Sequence, residues 1–181
     1  MIYYTTAFDS TKSIGKYYNS FFERLRDDDW ACFIDADTIF TTPDYGILIE
    51  NAVKKYPEAD AFTCYTNRVA CEWQIAPGVD VVSNDMKYHR NFGLKMKKNF
   101  GANCIDVTDK PRLKVMSGFF FMLKKSTWKE LGKFPEKGML GIDNHLHWAI
   151  QEKAKKLYLI KGLYLYHWYR NGDKADKKHL Y

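Results

Sequence analysis

Asp35-Ala36-Asp37 closes the apolar run Trp30-Ala31-Cys32-Phe33-Ile34. Two carboxylates spaced two residues apart in extended backbone point to the same side. Adjacent anions repel unless a cation stands between them. Oxygen ligands of this kind suit Mg2+ or Mn2+, and such an ion in turn holds a diphosphate. The end of a buried strand is also where open α/β sheets place their ligand sites. The pair therefore predicts a metal-assisted diphosphate site.

The surrounding pattern must supply that strand and its supports. Residues 2–7 read as a strand, from their Ile, Tyr and Thr content. Ile14, Tyr17, Tyr18, Phe21, Phe22 and Leu25 form a helical stripe, with Asp9, Ser10 or Ser13 as candidate caps. Residues 30–34 read as a strand buried on both faces, as in a parallel sheet. Thr41-Thr42-Pro43 predicts a threonine-capped helix start, carried on by Tyr45, Leu48, Ile49, Ala52, Val53 and Tyr56. Residues 61–65 follow as a strand. The stretch 67–114 is expected to be irregular and to carry binding residues. A strand is expected over 115–123, and a short helix capped by Ser126 or Thr127 ends at Gly132. A helix over 143–155 and strands over 157–160 and 163–166 complete the order. Alternating strands and helices of this kind predict an α/β layer structure in one domain.

Phe33-Ile34-Asp35-Ala36-Asp37-Thr38 resembles the Asp-x-Asp motif of GT-A glycosyltransferases, especially family 2-like enzymes. The resemblance implies that Asp37 binds the metal, and that Asp35 contacts ribose or the metal through water. Three further segments match in order. Thr5-Thr6-Ala7-Phe8 falls where the family contacts the base, and the segment with Gly15, Lys16 and Asn19 resembles the helix that faces the nucleotide. Met116-Ser117-Gly118-Phe119-Phe120 is similar to the family's small-residue strand beside the donor sugar, where a glycine marks close ligand approach. Gly141-Ile142-Asp143-Asn144-His145-Leu146-His147-Trp148 resembles Gly-Glu-Asp-x-Asp-Leu-x-Trp and puts Asp143 on the catalytic base of inverting members. A carboxylate at a helix N-terminus keeps its charge and can take a proton from an acceptor hydroxyl. His167 falls where many such enzymes have a late metal-binding histidine, a set that suits Mn2+.

The resemblance implies a compact GT-A (Rossmann-like) fold over residues 1–170, with a mostly parallel sheet and helices on both faces. Residues 171–181 would be a polar basic tail. It also implies transfer of a sugar from a nucleotide-sugar, UDP-sugar first, to a saccharide or other hydroxyl acceptor with inversion. The same Asp pair would serve a nucleotidyltransferase, which releases pyrophosphate. It also fits a phosphatase of the haloacid dehalogenase type, but that motif follows the first strand and carries Thr or Val where Ile39 stands. Gly172-Asp173, near Asp176, has no strand before it to serve that class.

The chain has 181 residues, 46% hydrophobic and 17% aromatic, enough for a real core. No apolar run reaches a membrane span of about 20 residues, and no leader is visible, so the expected location is cytoplasmic. Cys32, Cys64, Cys71 and Cys104 form no close pair and read as free thiols. The net charge is +6, with lysines clustered at 95/97/98, 153/155/156 and 174/177/178. These predict contact with anionic partners, a membrane surface included. A nucleic-acid-binding module is the non-enzymatic alternative, but it leaves the acidic pair without a purpose.

Overall fold

A computed structural model describes residues 1–138 and 140–169. The expected tail, with Lys174, Lys177, Lys178 and Gly172-Asp173, lies outside the described residues. The elements run β1 (Ile2–Thr5), α1 (Ile14–Glu23), β2 (Trp30–Ile34), β3 (Thr38–Phe40), α2 (Tyr45–Lys55), β4 (Ala61–Thr66), α3 (Met86–Phe100), β5 (Cys104–Asp106), β6 (Phe120–Lys124), α4 (Lys125–Leu131), α5 (Ile142–Glu152) and β7 (Leu157–His167).

The fold is α/β, built on a seven-stranded sheet in the order β1-β2-β6-β4-β7-β3, with β5 also on β7. The sheet is mixed, which corrects the expectation of a mostly parallel one. β1 runs parallel to β2, and β4 to β7, while β6 is antiparallel to both β2 and β4. The short strands β3 and β5 are antiparallel to β7. The reason lies in the approach to β6. Ile34 pairs with Phe120, and the Asp35 N–H donates to the Phe119 carbonyl at 2.9 Å. The chain thus enters β6 at the end where β2 finishes, and must run back along it.

Strand alternation splits the core in two. Ala31 and Phe33 of β2 join Tyr18 and Phe22 of α1, Trp128 of α4 and Leu146 and Ile150 of α5 on one face. Trp30 and Cys32 join Leu48, Ile49 and Ala52 of α2 on the other. Helices therefore cover both faces. Each fully buried Phe or Leu in these layers contributes about 1.5–3 kcal/mol relative to exposure, which fixes the register of β2 and hence where Asp35 emerges.

Several local expectations are corrected. Residues 67–114 contain a single 3-10 turn at Glu72–Gln74, the 15-residue helix α3 and strand β5. The strand expected over 115–123 starts only at Phe120, leaving Ser117 and Gly118 in the preceding loop. α2 starts after Asp44, and α4 after Lys124, so neither Thr41, Thr42, Ser126 nor Thr127 is the capping residue. Thr41 instead donates to the Tyr164 carbonyl at 2.6 Å. The two expected strands over 157–166 are one strand, broken in register opposite Cys64 and Tyr65. No helix of the described residues is long and apolar enough to cross a membrane. The four cysteines are free, and three are buried.

Candidate functional site

Asp35, Ala36 and Asp37 form a turn between β2 and β3, not the extended segment expected from alternation. The Asp35 carbonyl accepts from the Thr38 N–H at 3.2 Å and from its hydroxyl at 2.7 Å. This turn folds both carboxylates toward the end of β7. Thr38 pairs with His167 across the β3–β7 ladder, and the Trp168 N–H donates to the Asp37 carbonyl at 2.8 Å. The backbone therefore positions the imidazole against the acidic pair.

Asp35, Asp37 and His167 each offer a ligand atom, and these atoms lie within 4.8 Å of one another. His167 Nε2 stands 3.2 Å from Asp37 Oδ1, with the imidazole 4% exposed and the carboxylate 42% exposed. Behind the ring, Phe119 stacks at 5.4 Å between centroids. The His167 N–H donates to the amide oxygen of fully buried Asn67 at 2.7 Å. His167 Nδ1 is buried and has no hydrogen-bond partner among the described residues. Two carboxylates and one imidazole, converging from distant segments, form a donor set that could hold a divalent metal ion.

The two aspartates of this cluster differ in their electrostatics. Asp35 keeps an exposed residue surface, yet protein crowds its carboxyl on most sides, as expected for the wall of an open cleft. Lost hydration pushes it up to about 7. The charge of His167 opposes the rise, while Asp37 and Asp143 add to it. Burial also pushes Asp37 upward, but the hydrogen bond and charge of His167 outweigh that and hold it below the ordinary carboxylate range. The two aspartates are thus pushed in opposite directions, Asp35 by lost hydration and Asp37 by its histidine partner.

Asp143 sits in the first turn of α5, after Gly141 as the cap residue. Its Oδ2 accepts from the Gly118 N–H at 2.8 Å. A side chain at Gly118 would bring its Cβ to 3.3–3.4 Å from that carboxyl group, tighter than an ordinary contact. Burial raises the Asp143 carboxyl above the usual range, and the Gly118 N–H opposes the rise. Buried Gln74 sets this loop, accepting from the Ser117 N–H at 2.7 Å and donating to its carbonyl at 3.2 Å. Tyr18 is buried near both Asp35 and Asp143. Burial first, then the charges of Asp35 and Asp143, hold its hydroxyl far above the ordinary phenol range.

Two depressions open from this centre. A groove of about 320 Å³ is lined by Ala36, Asp37, Ile39, Asn84, Met86, Tyr166 and Trp168. A cleft of about 600 Å³ is lined by Asp143, Asn144, Trp148, Ser117 and the loop 112–116, with Ala70, Cys71 and Glu72 opposite.

The remaining expected residues divide. Thr5 pairs with Phe33 of β2, so Thr5, Thr6 and Ala7 leave the sheet beside Asp35. The Thr5 hydroxyl shares a hydrogen bond with that of Tyr17. Lys16 is exposed on α1. Gly15 and Asn19, expected to face the nucleotide, face the segment 134–136 instead. A Cβ at Gly15 would lie 1.9 Å from the Pro135 carbonyl oxygen. Asn19 donates to the Phe134 carbonyl at 2.9 Å and to Glu136 at 3.1 Å, while its oxygen accepts from the Phe134 N–H and the Trp128 ring. At 2% exposure it has nothing left to offer a ligand.

Tyr18, Asn67 and Gln74 were not singled out from sequence. Tyr18 is an ordinary member of a helical stripe, and the two amides act through partners remote along the chain. The signal available for Asn67 was its place just after the apolar run 61–65. Compared with known proteins, the chain matches no family model and no curated sequence.

Proposed function

We propose that the chain is a GT-A-like, metal-dependent glycosyltransferase that moves a sugar from a nucleotide-sugar, with a UDP-sugar the first donor to test, to a hydroxyl acceptor. The observation that carries this reading is the convergence of Asp35, Asp37 and His167 within 4.8 Å, near a third carboxylate, Asp143. Asp37 and His167, with Asp35, would hold Mn2+ or Mg2+. When bound, the ion supplies positive charge to the diphosphate as it leaves.

The chain's own groups account for the rest. Thr5, Thr6 and Ala7 stand at the adjacent strand end, where they can line the nucleotide. The Gly118 N–H fixes the Asp143 carboxylate, which lines the larger cleft. A base held there, raised above the usual carboxylate range, is better matched to taking a hydroxyl proton at neutral pH. Attack by that hydroxyl from the cleft side, opposite the diphosphate, gives inversion at the anomeric carbon. Trp148, 38% exposed on the wall of the cleft, offers an apolar face to a sugar ring.

The test is a thermal-shift and turnover screen of nucleotide-sugars with and without Mn2+. A donor-specific shift that needs the metal supports the assignment. Asp37→Ala should abolish the metal-dependent shift and lower turnover by a factor of about 10² or more, with the fold retained. A variant that still binds donor and metal and still turns over sinks the proposal. Pyrophosphate release in place of a nucleoside diphosphate would move the chain to nucleotidyl transfer.

A further inference from the structure

The basic residues differ in how far the fold cancels their charge. Lys155 pairs with Asp60 and Glu130, and Lys156 with Asp106. Arg112, Lys114, Lys129 and Lys133 each meet a glutamate or aspartate. Helix α3 is different. It carries Lys87, Arg90, Lys95, Lys97 and Lys98 and no acidic residue. Of these five, Lys97 pairs with Asp44. The other four have no carboxylate partner among the described residues and are exposed.

Their placement is regular. Lys87, Asn91, Leu94 and Lys98 rise one above another on the outer face, with Arg90 and Lys95 on its flanks. Leu94 is 50% exposed in the middle of that basic stripe. The opposite face is spent on the core, since His89, Gly93 and Met96 are buried. Just before the helix, Val81 and Val82 are exposed, Val82 at 78%. The Asp80 N–H, donating to the Tyr88 hydroxyl at 2.7 Å, ties that loop to the helix.

We infer that the outer face of α3 docks on an anionic lipid bilayer, with Lys87, Arg90, Lys95 and Lys98 at the headgroups and Leu94 and Val82 at the acyl boundary. A helix that places uncancelled cations around aliphatic side chains matches that surface in both charge and polarity. Nucleic acid fits less well. Single strands stack their bases on exposed rings, and rings on this helix are engaged within the fold: Phe92 packs against Tyr164, and Tyr88 against His89 and Phe92. Docking would also set the groove containing Asp37 beside the bilayer, because Asn84 and Met86 at the start of α3 line it.

The inference does not depend on sugar transfer. Its test is cosedimentation of the full chain with vesicles of phosphatidylcholine alone, or with about one third phosphatidylglycerol, at about 0.1 M salt. The wild type should bind the anionic vesicles only. K87E/R90E/K98E should weaken partitioning at least about a hundredfold, given roughly fivefold for each cation removed and more for reversal. Leu94→Gln should weaken it about threefold. All of these side chains are exposed, so thermal melts should be unchanged. K12E/R24E/K153E makes the same charge change elsewhere and should keep most of the binding. Failure of the wild type to bind anionic vesicles overturns the inference. So does equal loss in the control, which would mean net charge alone. Binding of a single-stranded oligonucleotide, but not of vesicles, that is lost in the α3 variant would make the face a nucleic-acid surface instead.

Discussion

Asp143 meets two opposing demands. Its carboxyl is held by the Gly118 N–H yet short of water, and burial raises it above the ordinary range. The folded state therefore holds the proton more tightly than the unfolded chain does. Between the ordinary aspartate value and the raised one, folding takes up protons, so stability falls as pH rises through that window. Asp143→Asn removes this penalty and still offers an oxygen to Gly118. Melts of the ligand-free protein should then show the variant equal to the wild type at acid pH and more stable at pH 8. Sugar transfer by the same variant should fall by about 10²–10⁴, with donor binding kept. A variant less stable at pH 8 would show that the ionised carboxylate supports the fold. Residues of this kind were legible because their type alone suggests chemistry: Asp35, Asp37, Asp143 and His167 stood out in the sequence. Asn67 and Gln74 did not, since an amide carries no mark of its use until its partners are known.

Among the elements, α1 shows how a functional expectation gives way to a packing role. Its buried face rests on the segment 134–136 through Gly15, through both ends of the Asn19 amide and through Ser13, whose hydroxyl donates to the Glu136 carbonyl. Gly15→Ala must push Pro135 away and should cost about 1–3 kcal/mol. Asn19→Ala strands the Phe134 backbone groups, at about 1–3 kcal/mol for each one left unpaired. Denaturant titrations should show both losses, while the affinity for UDP and Mn2+ in the folded fraction stays unchanged. Weakened nucleotide binding at full stability would restore a ligand role to Asn19. Helices α1, α2 and α5 were legible from their apolar period, and strands β2 and β4 from short continuous apolar runs. Helix α3 was not, because His89 and Gly93 interrupt its apolar stripe and cations crowd the rest. β3 was not either. It is three residues long, and among the described residues it pairs only with β7, far away in sequence.

Across the whole molecule, the sheet links sites that no local pattern connects. β6 runs against its neighbours, and so brings Phe119 and Gly118 to the end of β2 where the aspartates emerge. The α/β class was readable from the alternation of elements, but strand direction was not, since direction depends on which sheet end a loop returns to. On the proposed reading, the same integration would let metal binding stabilise the whole fold. At Mn2+ about a hundredfold above its dissociation constant, linkage gives about 2.7 kcal/mol, or a rise of roughly 5–10 °C in melting temperature. The rise should vanish in Asp37→Ala, and calorimetry with and without chelator checks it.

β7 borders β4 along one edge and meets β5 and then β3 along the other, and its final residue is His167. The third candidate ligand therefore arrives late. A growing chain would display Asp35 and Asp37 well before the imidazole had been synthesised, and could close the triad only once that last strand had slotted home. Metal uptake would then report the joining of β7 to β4 and β3, remaining silent in any species that lacks that pairing.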